Sequence, residues 1–428
     1  MKSYFIKTYG CQMNVADSEK LAGLLDAAGY LPAESAGSAD LLLINTCVVR
    51  QHAEDRAAWY ITSAKGLKRE RPHLKIGICG CLVTQPGRDL KKQFPHVDIF
   101  IPPGRYELLA EFLPSPPLSP SPSPSTLLGI NGRGGNPKGG GEGRTKYLTI
   151  MQGCDNFCSY CIVPYVRGRE FSRPTEEVIN EIRNIDFIKH PEIYLLGQNV
   201  NSYKYGFANL LRMIEINVGV GEDLPWIRFM TSHPRDMSHE IIEAVAESPH
   251  VCEFFHLPIQ HGDDEILKKM NRGYTIDYYR KLVDRIRARI PEAAITSDVI
   301  VGFPGETEDQ FRHTLYIIGE IGFDAVNTLA YSVRPATAAA KLPDDVPQKT
   351  KDERLQEVMR VVGEMALKQN QKLVGTSQKV LVEGDSGRTR TNKIVKFAVP
   401  RKDLLGRVVN VKIKSARSWA LEGETING

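Results

Sequence analysis

A chain of 428 residues, 42% hydrophobic and 25% charged with a net charge of +4, is longer than one ordinary domain, so two or three domains with sizeable cores are expected. The longest apolar run, Leu41 to Val49, is broken by Asn45 and Thr46 and is too short to span a bilayer, and Met1 to Lys7 contains no signal-peptide core; the cytoplasm is the expected compartment. Eight cysteines in a reducing compartment point to metal or redox thiolates rather than disulfides.

Residues 1–113 read as alternating strands and helices. Strands are expected at Lys2 to Lys7, Leu41 to Ile44, Lys75 to Cys79 and Val97 to Ile101, with helices at Asp17 to Ala28 and Val49 to Arg71. This βαβαβ order implies a parallel sheet with right-handed crossovers. Cys11 follows the first strand, Cys47 the second and Cys81 the third, each inside a small polar loop. Strands of a parallel sheet end on one edge, where ligand sites gather, so three cysteines distant in sequence are expected to converge there. Cys79 points the other way and reads as structural.

The stretch 114–144 is a linker. Prolines alternating with serines favour extended polyproline conformations, and the glycine-rich half that follows favours a flexible coil. No Gly-Lys-Ser/Thr frames those glycines as a phosphate loop.

From Lys146 the alternation resumes. Six strands are expected: Tyr147 to Met151, Ile193 to Leu196, Trp226 to Met230, Cys252 to His256, Ala294 to Val301 and Ala325 to Ala330. Five helices intervene, which suits an open (β/α)6 partial barrel with its reactive groups on the loops after the strands. The first such loop carries Cys154, Cys158 and Cys161 in a Cys-x3-Cys-x2-Cys spacing. Three thiolates can hold an iron–sulfur cluster while leaving one iron without a protein ligand, free to bind a small molecule. A zinc knuckle would repeat Cys-x2-Cys and supply four ligands. Gln198, Ser232, Gln260 and the Val301-Gly302 turn follow later strands on the same face; His233 and His261, taken alone, carry no ligand signal.

After a helix from about Lys351 to Lys372, residues 372–428 form short β-like runs at Lys379 to Glu383, Lys393 to Val399 and Val408 to Ile413, consistent with a small antiparallel barrel. Twelve basic side chains against five acidic ones give this module +7, the charge of an RNA-backbone binder.

Tyr9-Gly10-Cys11-Gln12-Met13-Asn14, the run Gly153 to Tyr165 with Arg167-Gly168, and Leu196 to Tyr203 together resemble the radical S-adenosylmethionine methylthiotransferases, and most closely those acting on isopentenylated adenosine of tRNA. The tail, with Gly387 to Lys393 and Ser418 to Leu421, is similar to that family's TRAM RNA-binding domain, so the resemblance covers nearly the whole chain. It implies three units, an N-terminal methylthiotransferase domain at 1–113, a radical SAM domain at 145–371 and a TRAM-like domain at 372–428. It further implies a 4Fe-4S cluster on Cys154, Cys158 and Cys161 that binds S-adenosylmethionine, and an auxiliary 4Fe-4S cluster on Cys11, Cys47 and Cys81 that holds sulfur. One S-adenosylmethionine would methylate that sulfur and a second would yield the radical that takes hydrogen from C2 of the adenine, a bond no side-chain acid or base can activate.

By their position at strand ends Gln198, Ser232, Gln260, Val301 and Gly302 are expected to line the S-adenosylmethionine site, and by the resemblance of the tail Arg388, Arg390, Asn392 and Lys393 are expected to contact RNA. The target is the N6-isopentenyladenosine beside the anticodon of tRNA, whose loop offers splayed bases. An external electron donor and a sulfur source are implied, no membrane, and a monomer. Threonylcarbamoyladenosine in tRNA and a ribosomal protein aspartate are substrates of relatives with the same six cysteines. A non-catalytic metal- and RNA-binding protein is the alternative from another class.

Three features depart from the family pattern. The 114–144 linker is long, Gln260-His261-Gly262-Asp263-Asp264 replaces a commoner Gln-Ser-Gly-Ser form, and the short turn at Glu383 to Gly387 is expected to cost the barrel part of a hairpin.

Overall fold

The structure is a computed structural model that describes residues 2–113, 144–218 and 225–426. The linker reading, apart from Arg144, falls outside the described residues. The N-terminal sheet consists of β1 (Ser3–Thr8), β2 (Leu31–Pro32), β3 (Leu41–Thr46), β4 (Lys75–Gly80) and β5 (Ile99–Ile101). Its order is β2-β1-β3-β4-β5, and every pair is parallel. β3 is buried at every residue, as a strand covered on both faces must be. Leu42, Ile44, Ile76 and Ile78 pack with Ala57 and Ile61 of the helix Gln51–Glu70 on one side. On the other, Tyr4, Leu41, Leu43 and Cys79 pack with Leu21 and Leu25 of the helix Gln12–Ala27. That helix starts directly after Cys11, five residues before the expected Asp17.

The central region begins with β6 (Thr145–Thr149) and a short antiparallel pair, β7 (Met151–Gln152) with β8 (Phe171–Ser172). It continues through β9 (Glu192–Leu196), β10 (Trp226–Phe229), β11 (Phe254–His256), β12 (Ala294–Val301) and β13 (Ala325–Ala330). Two parallel three-stranded sheets, β10-β9-β6 and β11-β12-β13, meet at the parallel bridge between Ile227 and Val251. The six strands therefore follow one another in sequence order around the expected partial barrel. Their helix-facing sides share one core with the helices Thr175–Arg183, Phe207–Val218, His239–Glu247, Ile276–Arg289 and Glu308–Ile321. The helix Asp264–Lys269 was not expected; Asp263 caps it by accepting from the backbone N–H groups of Glu265 and Ile266.

The helix Gln348–Gln371 leads to a closed barrel of β14 (Ser377–Val382), β15 (Ser386–Thr389), β16 (Ile394–Phe397), β17 (Val408–Ala416) and β18 (Leu421–Thr425). Two expectations are corrected here. β16 and β18 pair in parallel, so the barrel is not wholly antiparallel. The hairpin at Glu383 to Gly387 is intact, with β14 and β15 in register from Val380 and Thr389 to Val382 and Gly387.

The three regions pack on one another. Met13 and Ala16 of the first helix meet Tyr194 and Leu196 of β9, while Trp226 and Cys252 meet Leu381 of the barrel. Among the described residues no helix is long and apolar enough to cross a membrane.

Candidate active site

Cys11, Cys47 and Cys81 stand just beyond the carboxyl ends of β1, β3 and β4, and buried side chains tie those three ends together. Asn14 Nδ2 donates to Asn45 Oδ1 and to the Thr46 carbonyl, both at 3.0 Å. Asn45 Nδ2 returns a bond to the Asn14 carbonyl at 2.7 Å, and the Cys81 N–H donates to the Thr46 carbonyl at 3.0 Å. The polar residues beside each cysteine are therefore the struts of the cluster of loops.

The neighbouring Cys47 thiol lowers the Cys11 pKa, and Arg167 and the backbone N–H groups of Asn14 and Met13 act in the same direction. Cys47 is raised by its nearness to Cys11 and by burial. Burial also pushes the Cys81 thiol up, against the pull of Arg167. Cys11 is exposed while Cys47 and Cys81 are buried, so the site opens to solvent on one side. Cys79 lies apart, in the apolar layer on the other face of the sheet.

Cys154, Cys158 and Cys161 share the loop between β7 and the short helix Val163–Val166, and all three are half-buried. Gly153 opens this loop at φ +79°, where a Cβ would lie 2.7 Å from the Gly168 carbonyl, so a side chain is excluded twice over. Its N–H donates to Gln198 Oε1 at 2.6 Å. Asn271 Nδ2 holds the Asn156 and Phe157 carbonyls at 3.2 and 3.1 Å, and the Ser159 N–H donates to the Met270 carbonyl at 3.0 Å. Burial raises the Cys154 and Cys161 thiols. Arg272, itself buried, donates to Cys158 Sγ at 3.3 Å, Tyr160 Oη at 3.4 Å and the Pro258 carbonyl at 2.7 Å.

The other expected residues fall at strand ends as follows. Gln198 braces the cysteine loop. Ser232 is buried with its Oγ unpartnered among the described residues, and so is Nε2 of the neighbouring His233. Burial, with Arg272 and Arg235 nearby, pushes His233 down to about 2, so its ring is neutral. Gln260 bridges to Val299 at φ +71°, its N–H donating to the Asp298 carbonyl at 2.9 Å. The Val301-Gly302 turn is fixed by Glu306, whose carboxylate accepts from the Gly302 N–H. His261 has a structural place: its Nε2 bonds Glu306 Oε1 at 2.9 Å, and Arg354 pairs with the other oxygen at 2.9 Å.

Of the residues expected to meet RNA, Arg390, Asn392 and Lys393 bond to the central region and Arg388 to partners within the barrel. Arg390 pairs with Glu253 at 2.6 Å and donates to the Pro249 and Val251 carbonyls. Lys393 pairs with Asp324 at 2.6 Å. Asn392 Oδ1 accepts from Tyr194 Oη at 3.3 Å and Arg388 Nη1 at 3.1 Å, and Arg388 also pairs with Glu383 at 3.2 Å. Arg390 and Lys393 thus clamp the barrel to the central region.

Sequence reasoning missed Arg167 and Arg272 as members of the cysteine sites. An isolated arginine shows no periodicity; the signals were the Arg167-Gly168 pair that belongs to the family motif and the place of Arg272 in the Asn271-Arg272-Gly273 turn.

The residues fit iron–sulfur clusters. A cluster takes each thiolate on a separate iron. Each triad is near enough that its thiols shift one another, and each has a buried arginine beside it. The unpartnered Ser232 and His233 atoms suit a polar small molecule near the second triad.

Residues 148–316 match the radical SAM superfamily, and residues 3–102 match an uncharacterized protein family, UPF0004. The chain is 43% identical over 444 residues to the tRNA-2-methylthio-N(6)-dimethylallyladenosine synthase of Clostridium botulinum (strain Loch Maree), covering 99% of this chain and 97% of that one. The synthase of the same name from Carboxydothermus hydrogenoformans is also 43% identical, with 99% of each chain covered. Among solved structures, the radical S-adenosylmethionine methyltransferase TsrM of Kitasatospora setae superposes with a TM-score of 0.58 at 16% identity, covering 89% of this chain and 78% of that one, a likeness of fold.

Proposed function

We infer, for a chain that belongs to the tRNA-2-methylthio-N(6)-dimethylallyladenosine synthase family within the radical SAM superfamily, that it methylthiolates C2 of N6-isopentenyladenosine next to the anticodon of tRNA. Two S-adenosylmethionine are used per product, one as methyl donor and one as radical source. The observation that carries this reading is 43% identity along 99% of the chain, with two cysteine triads at the strand ends of two adjoining α/β units.

Cys154, Cys158 and Cys161 would hold the 4Fe-4S cluster that binds S-adenosylmethionine, and Cys11, Cys47 and Cys81 the auxiliary 4Fe-4S cluster. When bound, these groups supply electron transfer, the hydrogen-abstracting radical and the sulfur that enters the product. The protein's part is to position and protect. Gln198 anchors the cysteine loop through Gly153, and Arg272 ties Cys158 to the Pro258 loop. Ser232 Oγ and His233 Nε2 are free hydrogen-bonding groups for S-adenosylmethionine. Glu306, held by His261 and Arg354, keeps the Val301-Gly302 turn open for the same ligand, and Gln260 completes that wall.

RNA contact falls to the basic side chains the barrel leaves exposed, Lys379, Lys396, Lys402, Arg407 and Lys412, and to the exposed ring of Trp419, on which a base can stack. The protein works as a cytoplasmic monomer with an external electron donor and sulfur source. The test is reaction of the anaerobically reconstituted full chain with an isopentenylated anticodon stem-loop. Two S-adenosylmethionine consumed per 2-methylthio product supports the reading; deoxyadenosine without product, or product on unprenylated RNA, overturns it.

A further inference from the structure

Arg167 reaches the N-terminal cysteines from the other side of the molecule. It follows the helix Val163–Val166, which starts two residues after Cys161. Ile162 and Val166 are buried in the same cluster as Val48, Cys81 and Leu82 of the N-terminal unit, and Thr84 Oγ1 donates to the Val166 carbonyl at 2.7 Å. The chain segment that leaves one cysteine triad is thus part of the core beneath the other.

The Arg167 side chain is 3% exposed, and its Nη2 donates to Asp17 Oδ2 at 3.0 Å. Asp17 is itself oriented, because its other oxygen accepts from Tyr106 Oη. Arg167 Nη1 is buried and has no hydrogen-bond partner among the described residues. A buried guanidinium N–H without an acceptor is unfavourable unless something binds there. Beside it lies Cys81, which packs in the same buried cluster as Ile162 and Val166, the residues just before Arg167. Thiolates and the sulfur at an auxiliary cluster are negative acceptors, and hydrogen bonds to such sulfurs raise a cluster's reduction potential.

We propose that Arg167 is a positioning residue for the Cys11–Cys47–Cys81 site: Asp17 aims its guanidinium so that Nη1–H donates to sulfur at that site. This rests on the auxiliary-cluster reading above. It also means that the loop carrying the other triad supplies one wall of this site.

The test isolates the auxiliary site in the full chain by replacing Cys154, Cys158 and Cys161 with Ala. Iron content, the electron paramagnetic resonance signal and the midpoint potential are then compared with and without R167K. Lysine keeps the charge opposite Asp17 but has no second nitrogen to present to sulfur in the fixed geometry of the guanidinium fork, so a merely structural ion pair predicts no change. The expected result is retention of four irons per chain, an altered resonance and a more negative midpoint potential. The neutral pair D17N/R167M, which leaves no uncompensated buried charge, should shift further in the same direction and serves if R167K fails to fold by circular dichroism. Unchanged resonance and potential in whichever variants fold overturns the proposal. If the parent without Cys154, Cys158 and Cys161 holds no iron, the auxiliary-cluster reading itself fails.

Discussion

Arg228 is the side chain that fastens the C-terminal barrel. It is wholly buried, and its Nε donates to Glu192 Oε1 at 2.6 Å. Its Nη2 donates to the Thr389 carbonyl at 2.7 Å, and its Nη1 to the Arg390 carbonyl. The guanidinium lies 5.4 Å from the Trp226 ring centre and 6.0 Å from that of Tyr194. R228M keeps the apolar stem but leaves the Glu192 carboxylate buried without its cation and two carbonyls of the barrel without donors. Breaking a buried pair in this way costs about 3–5 kcal/mol. If that loss falls on docking, the ratio of docked to undocked barrel drops by roughly two to three and a half powers of ten, at about 1.4 kcal/mol per tenfold.

Undocking exposes the connection at Val374, Gly375 and Thr376, which is already at the surface, so limited proteolysis under native conditions reads the equilibrium as a cleavage rate. R228M should be cut there much faster than the wild type. E192Q/R228M, which has no unpaired carboxylate, should recover part of the difference. Equal rates for R228M and the wild type would refute the assignment of Arg228 as the clamp.

Three further outcomes are expected. The reconstituted protein should carry about eight irons per chain; replacing Cys11, Cys47 and Cys81 with Ala should halve that value while cleavage of S-adenosylmethionine continues and thiolation stops, as iron analysis and product chromatography would show. G153A puts a methyl group against the Gly168 carbonyl at a φ of +79°, so it should lose the iron of the second triad and S-adenosylmethionine cleavage with it, but keep the iron of the first. In metal-free protein the lowered Cys11 pKa keeps its thiolate at pH values below the ordinary thiol value of about 8.5, and the stability that thiolate adds is complete above that value and declines below it. Both are lost as pH falls through the lowered value, so peptide mapping after iodoacetamide at neutral pH should find Cys11 labelled well ahead of Cys47 and Cys79. Equal labelling would contradict the lowered Cys11 pKa.

Much of this architecture is legible in the sequence where one physical rule dominates. β3 reads as a continuous apolar run because both its faces are covered, and the cysteines after β1, β3 and β4 follow from parallel topology alone. β15 and β18 were missed because Gly387 and Gly423 interrupt any strand pattern. Both are demanded by close approach: a Cβ on Gly387 would meet Val380 Cγ1 at 2.5 Å, and one on Gly423 would meet Val411 Cγ1 at 2.5 Å. β2 is a two-residue edge strand containing Pro32, too short to show a period.

Direction was the other thing the sequence concealed. The tail's charge is real, yet Arg388, Arg390 and Lys393 turn inward because Glu383, Glu253 and Asp324 wait there. His261 stands out as a departure from the family pattern, but its partner Glu306 lies 45 residues away, beyond any local signal. Arg167 and Arg272 look like surface residues until the fold places them beside thiols.

The central claim is the identity of the modified nucleoside. Mass spectrometry of tRNA nucleosides from cells lacking this gene, and from the same cells with it restored, tests that claim most directly. The account predicts loss of the 2-methylthio-isopentenyl nucleoside, accumulation of its isopentenyl precursor, and recovery only with all six cluster cysteines present. Persistence of the 2-methylthio-isopentenyl nucleoside, or loss of a threonylcarbamoyl derivative in its place, would contradict it.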